Sequence, residues 1–81
     1  MKIYLVISEW QINGDHAWDN YAFAKKEDAE KFIEEDKKDV LISIDNGEYG
    51  GIFDDMEVED FGIYTNLGDW FQWDLEELEL Q

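Results

Sequence analysis

The 81-residue chain has no cysteine, no proline and no arginine. Without cysteine, neither a disulfide nor a thiolate metal site can contribute to folding. Without arginine, the bidentate fork that grips phosphate or carboxylate is missing, and the six basic side chains are all lysines. No apolar run approaches the roughly 18 residues needed to span a membrane. The opening MKIYLVIS is too short for a secretion signal with its cleavage site, and Glu9 ends it. Cytosol, of a bacterial cell or of a phage-infected host, is therefore the expected location.

What the chain does have is acid. Twenty-two Asp and Glu stand against six Lys, a formal net charge of −16. The distribution is uneven: residues 1–38 hold all six lysines and nine acids, net −3, whereas residues 39–81 hold thirteen acids and no base, net −13. Phosphate contacts by the second half are thereby ruled out, and an anionic membrane surface would repel it. The other resource is apolar: 44% of residues are hydrophobic, and thirteen are Phe, Trp or Tyr. That is too much for a disordered chain, and a domain of this size buries roughly 60% of its unfolded surface. One domain, residues 1–81, is expected.

Along the chain, residues 2–12 are β-branched and aromatic and stop at Asn13-Gly14, a turn dipeptide. Ile3, Leu5 and Ile7 share one face of this strand and Tyr4, Val6 and Trp10 the other, so it reads as a central strand covered at least in part on both sides. A second strand follows in WDNYAFA. Ala29, Phe32 and Ile33 then form an i, i+3, i+4 stripe, with Glu27 and Asp28 in the first turn and Lys37 and Lys38 in the last, which predicts a helix over about 26–38. Val40 to Ile44 reads as a strand entering an Asp45-Asn46-Gly47-Glu48 hairpin. A competing reading carries the helix through Leu41, because Val40 and Leu41 prolong its stripe. Phe61 to Thr65 and Trp70 to Leu80 read as two more strands. Phe71, Trp73 and Leu75 alternate inward, and Leu78 and Leu80 fall out of phase, which predicts a bulge or short helical turn near Glu76-Glu77. The expected fold is α+β: a small, mostly antiparallel sheet of four to five strands with one helix packed on it.

No pattern for catalysis emerges. His16 is the sole histidine and sits beside a turn; Ser8 and Ser43 lie in predicted strands without a nucleophile motif. Carboxylate pairs for glycoside hydrolysis carry no information among 22 acids. Asp45-Asn46-Gly47-Glu48 has a fragment of a Ca²⁺ loop, but Ile42 and Ile44 stand where oxygen ligands are required. Neither an enzyme nor a cofactor or metal site is expected.

The acids are the better candidates. On an extended C-terminal strand, Gln72, Asp74, Glu76 or Glu77, and Glu79 would stand about 6.7 Å apart, twice the strand rise. Such a row imitates the regularly spaced negative charges of a nucleic-acid backbone. Asp54, Asp55, Glu57, Glu59 and Asp60 could supply a second row. A solvated polar face explains ordinary charge runs, but solubility requires a net charge of magnitude only about 2–8 in a small domain. Trp73 is expected in the core by alternation, and Trp70, out of phase with it, is a candidate interface anchor. The partner expected for Asp54, Asp55, Glu57, Glu59, Asp60, Trp70, Asp74, Glu76, Glu77 and Glu79 is a basic nucleic-acid-binding protein, a nuclease or CRISPR effector, met by a monomer or homodimer without direct nucleic-acid contact.

The strand MKIYLVISEW and the segment KKEDAEKFIEE look like those of many small proteins of bacteria, phages and mobile elements. In size and charge the chain resembles the phage-type DNA-mimic inhibitors, among them anti-restriction, anti-CRISPR and glycosylase-inhibitor proteins. That resemblance implies stoichiometric inhibition of a basic protein. Two other functions suit the composition: a generic protein-interaction or regulatory domain, and a carbohydrate-binding module presenting two or three coplanar Trp rings.

Overall fold

The computed structural model describes residues 1–80. The first element, β1 (Lys2–Ile12), runs into β2 (Asp15–Phe23) through Asn13 and Gly14, at φ 51° and 84°. Positive φ at both central residues is what a two-residue hairpin matching the right-handed strand twist demands, and Asn-Gly is the pair that tolerates it. Then come α1 (Lys26–Asp45), a turn-rich loop over 46–56, β3 (Glu57–Glu59), β4 (Gly62–Tyr64) and β5 (Trp70–Glu79). All pairings are antiparallel, in the order β2-β1-β5-β4-β3, so the two terminal elements of the chain, β1 and β5, form the centre of the sheet. One helix on a five-stranded antiparallel sheet is the expected α+β class.

The helix is longer than its first stripe predicts. It runs to Asp45, because Val40, Leu41 and Ile44 extend the apolar stripe of Ala29 and Ile33 and pack against the core. The predicted strand over Val40 to Ile44 is its last turns, and Lys37 and Lys38 are mid-helix. Asn46-Gly47, read as a hairpin turn, is the helix stop. The N–H of Gly47 (φ 80°) donates to the Ile44 carbonyl at 3.1 Å and that of Glu48 to the Ser43 carbonyl at 3.1 Å, the two bonds of a Schellman cap. The same dipeptide serves both ends because what it encodes is positive φ.

The helix covers only one face of the sheet. There Val6, Ile33, Ile63, Phe71 and Trp73 are buried together with Phe53, which the loop folds in beyond the end of the helix. Tyr49, Phe53 and Phe71 form a triangle of rings with centroids 5.6–5.7 Å apart. The Trp73 indole N–H donates to Asp36 Oδ2 at 2.8 Å, tying helix to sheet. The opposite face is open, so Ile3, Leu5 and Ile7 are half-buried by their lateral neighbours alone. No bulge forms near Glu76-Glu77: β1 and β5 pair without interruption from Lys2 opposite Glu79 to Gln11 opposite Trp70. Ten unbroken pairs outweigh the phase of two leucines, and Leu78 is left on the open face beside Ile3, 38% exposed.

Candidate partner-binding surface

Because paired residues on neighbouring antiparallel strands share a face, the register assigns every acid of the sheet. Val6, opposite Leu75, marks the helix side. Glu9, Glu57, Glu59, Asp74 and Glu76 then lie on the open side, with Gln72 and Gly62 forming the row that links Glu9 to Glu59. Asp74 stands opposite Ile7 and Glu76 opposite Leu5, so each carboxylate flanks one residue of the apolar stripe on β1.

The uninterrupted register divides the predicted C-terminal row. Asp74 and Glu76 face the open side and Glu77 and Glu79 the helix side, where both meet positive charge. Glu77 lies 3.8 Å from the Lys2 ammonium, and Glu79 lies 3.3 Å from the N-terminal amine. Glu77 also faces the Tyr4 phenol, which is raised above its ordinary value by burial first and by Glu77 second. Asp54, Asp55 and Asp60 are exposed on loops. Asn66 donates to Asp55 at 2.9 Å, and Lys37 donates to the carbonyls of Glu59 and Asp60 at 2.9 and 3.3 Å, so this acidic corner is held to the body. Asp69, in contrast, is a buried clamp: it accepts from the Asn13 N–H at 2.8 Å and joins the two turns at that end of the sheet.

No lysine lies on the open face. Five lysines lie on α1 or immediately before it, and Lys2 is on the helix-side parity with its partner Glu77. The one ionisable nitrogen on the open side is His16, whose Nε2 is held by Glu9. His16 sits between Trp18 and Trp70, with ring centroids 5.8 and 5.7 Å away. Trp70 is half-buried and Trp18 is 60% exposed. The His16 plane is tilted 53° to one indole and 59° to the other, so the three rings form a corner, not a flat platform. Tyr64 completes the aromatic row on the other side of Trp70. Glu9 was not among the sequence candidates; its alternation with the apolar residues of β1 carries the signal, once the face covered by the helix is known.

Among the described residues, no helix is long and apolar enough to cross a membrane, and no three His, Asp or Glu side chains converge on a point that could hold a metal ion. No protein-family model matches the chain, and neither a curated protein nor a solved structure matches it.

Proposed function

We propose that the chain is a non-catalytic acidic binding protein that occupies the nucleic-acid groove of a basic nuclease or RNA-guided effector, in the manner of anti-restriction and anti-CRISPR inhibitors. The observation that carries this reading is the segregation of charge: five carboxylates on the open face with no lysine among them, continuous with the acidic corner 54–60. Density agrees. The body is 46 Å long, so 16 net charges amount to one per about 2.9 Å, between the values of about 1.7 Å for duplex DNA and 3.4 Å for one strand. The Ile3, Leu5 and Ile7 stripe, with Trp18 and Trp70, supplies apolar contact that a phosphate backbone lacks and that a protein partner can desolvate.

Two charge-matched variants test this by inhibition of DNA binding across a panel of restriction and RNA-guided nucleases. Glu57→Gln, Glu59→Gln, Asp74→Asn and Glu76→Gln together should lower affinity and flatten its dependence on salt. Glu27→Gln, Asp28→Asn, Glu34→Gln and Glu35→Gln, on the helix, should leave both nearly unchanged. Equal loss from the two variants would reduce the effect to net charge and overturn the assignment of the face. Binding carried by the apolar stripe would instead be insensitive to salt, and would mark a generic interaction domain.

A further inference from the structure

The two edges of the sheet are unlike. At one end β3 has three residues, two of them glutamates. At the other, β2 has nine, seven of them exposed, and its register with β1 runs unbroken from Asp15 opposite Ile12 to Phe23 opposite Tyr4. Long edges in natural sheets are blunted by proline, lysine, a bulge or a covering element. The β2 edge has none of the first three, and its exposure excludes the last. The Asn13-Gly14 turn fixes which of its main-chain groups are free. A two-residue hairpin closes on a pair joined by both main-chain bonds, here Ile12 and Asp15, and bonded pairs then alternate along the strands. His16, Trp18, Asn20 and Ala22 therefore direct N–H and C=O away from β1, and among the described residues no hydrogen bond meets these groups.

We infer that the outer edge of β2 takes an extended, basic segment of a partner protein as an added strand. Main-chain bonds to His16, Trp18, Asn20 and Ala22 hold such a segment, and the side chains at its alternate positions select it. The charge beside the edge decides which side chains those are. Asp15 and Asp19 lie on the helix side of β2, Glu9 lies next to Trp18 on the open side, and the strand carries no lysine. A second copy of this chain is the wrong occupant. The antiparallel register that overlaps all nine residues sets Asp19 directly opposite Asp19, and each copy brings a net charge of −16. Arginine or lysine at alternate positions of an incoming strand meets Asp15 and Asp19 instead. Trp18, 60% exposed, gives the other face of that strand an apolar neighbour. The inference goes beyond the proposed function, which concerns carboxylates of the open face: the edge binds through main-chain groups, so the two contacts can fail separately.

The probe is a nine-residue peptide alternating arginine and threonine, with arginine at both ends, added to the labelled protein at physiological salt. Amide hydrogen exchange is the readout. At about ten times Kd, the peptide should slow exchange at His16, Trp18, Asn20 and Ala22 about tenfold. A peptide N-methylated at every threonine keeps the charge but loses the donors, and should protect none of the four. A peptide with glutamate for arginine should not bind. Asn20→Pro removes an N–H that points away from β1, so the sheet should persist while affinity falls about tenfold. The same protection should survive in the variant that neutralises Glu57, Glu59, Asp74 and Glu76, which separates this contact from the open face. Equal binding of the N-methylated peptide would reduce the effect to charge and overturn the inference, as would protection confined to β3. Protection of the same four amides on raising the protein concentration alone would also overturn it, by making a second copy the occupant.

Discussion

Trp73→Phe is expected to be the most damaging conservative change in the molecule. The indole is 1% exposed, and its N–H is bonded to an ionised carboxylate at 2.8 Å. Phenylalanine keeps an aromatic ring in the core but loses that bond, worth about 1.5–3 kcal/mol when one partner is charged. It also withdraws two ring carbons, about 1.6 kcal/mol by transfer alone. The sum, about 3–5 kcal/mol, compares with a total stability of about 4–12 kcal/mol for a chain of this length. Urea unfolding followed by far-ultraviolet circular dichroism measures it, with trimethylamine oxide added if the variant is partly unfolded at zero urea. The sharper readout is the double-mutant cycle with Asp36→Ala. If the bond is what ties α1 to the sheet, the two changes should couple by at least about 1.5 kcal/mol. A coupling below about 0.5 kcal/mol would show that the indole contributes by volume alone and would refute the reasoning.

Two other outcomes follow from the geometry. Gly62 lies beneath the Tyr64 ring, and a Cβ there would overlap it. Gly62→Ala should therefore destabilise by about 1–3 kcal/mol, with partial recovery when Tyr64→Ala removes the obstacle. Tyr4, Tyr21, Tyr49 and Tyr64 are all raised above the ordinary phenol value of 10.0, each by desolvation first and then by nearby carboxylates. The unfolded chain thus releases these protons before the folded one. Stability is full below pH 10 and falls as pH climbs from there through the raised folded values. Tyrosinate absorbance in the folded protein should lag that of the urea-unfolded chain, and Tyr21→Phe should reduce the alkaline loss.

The fold class was legible because its strongest signals are local. The β1 and β5 patterns, the Asn13-Gly14 turn and the Ala29–Ile33 stripe each name their element from a few residues. Two misreadings share a cause: tertiary context chose between local alternatives. Val40 to Ile44 suits strand by β-branching and helix by periodicity, and the core beneath α1 decided for helix. Leu78 suits the inward face by hydrophobicity, but the register with β1 placed it outward. The candidate surface was half legible for the same reason. Composition located the acid in residues 39–81, and it took the position of the helix to show that Glu77 and Glu79 turn towards Lys2 and the N-terminus while Glu9 joins Asp74 and Glu76.

The amount of acid is a weaker argument for function than its placement. Excess like charge opposes a compact state, and with a buried hydrophobic core of seven residues among those described, that opposition is not small. The helix shows the compensation available to this sequence: its eight acids are interleaved with four lysines, including the i, i+4 pairs Lys26–Glu30 and Lys31–Glu35. A surface made acidic for solubility alone would carry such lysines on every face, because they lower the repulsion and cost nothing in hydration. The open face has none, although Asp74 and Glu76 flank the half-buried Ile7 and Leu5, where a lysine stem would pack well. Repulsion is thus relieved on the side that carries the core and left unrelieved on the side that faces outward. A basic partner lying across that face would supply the missing positive charge, and binding would then relieve strain that folding leaves in place.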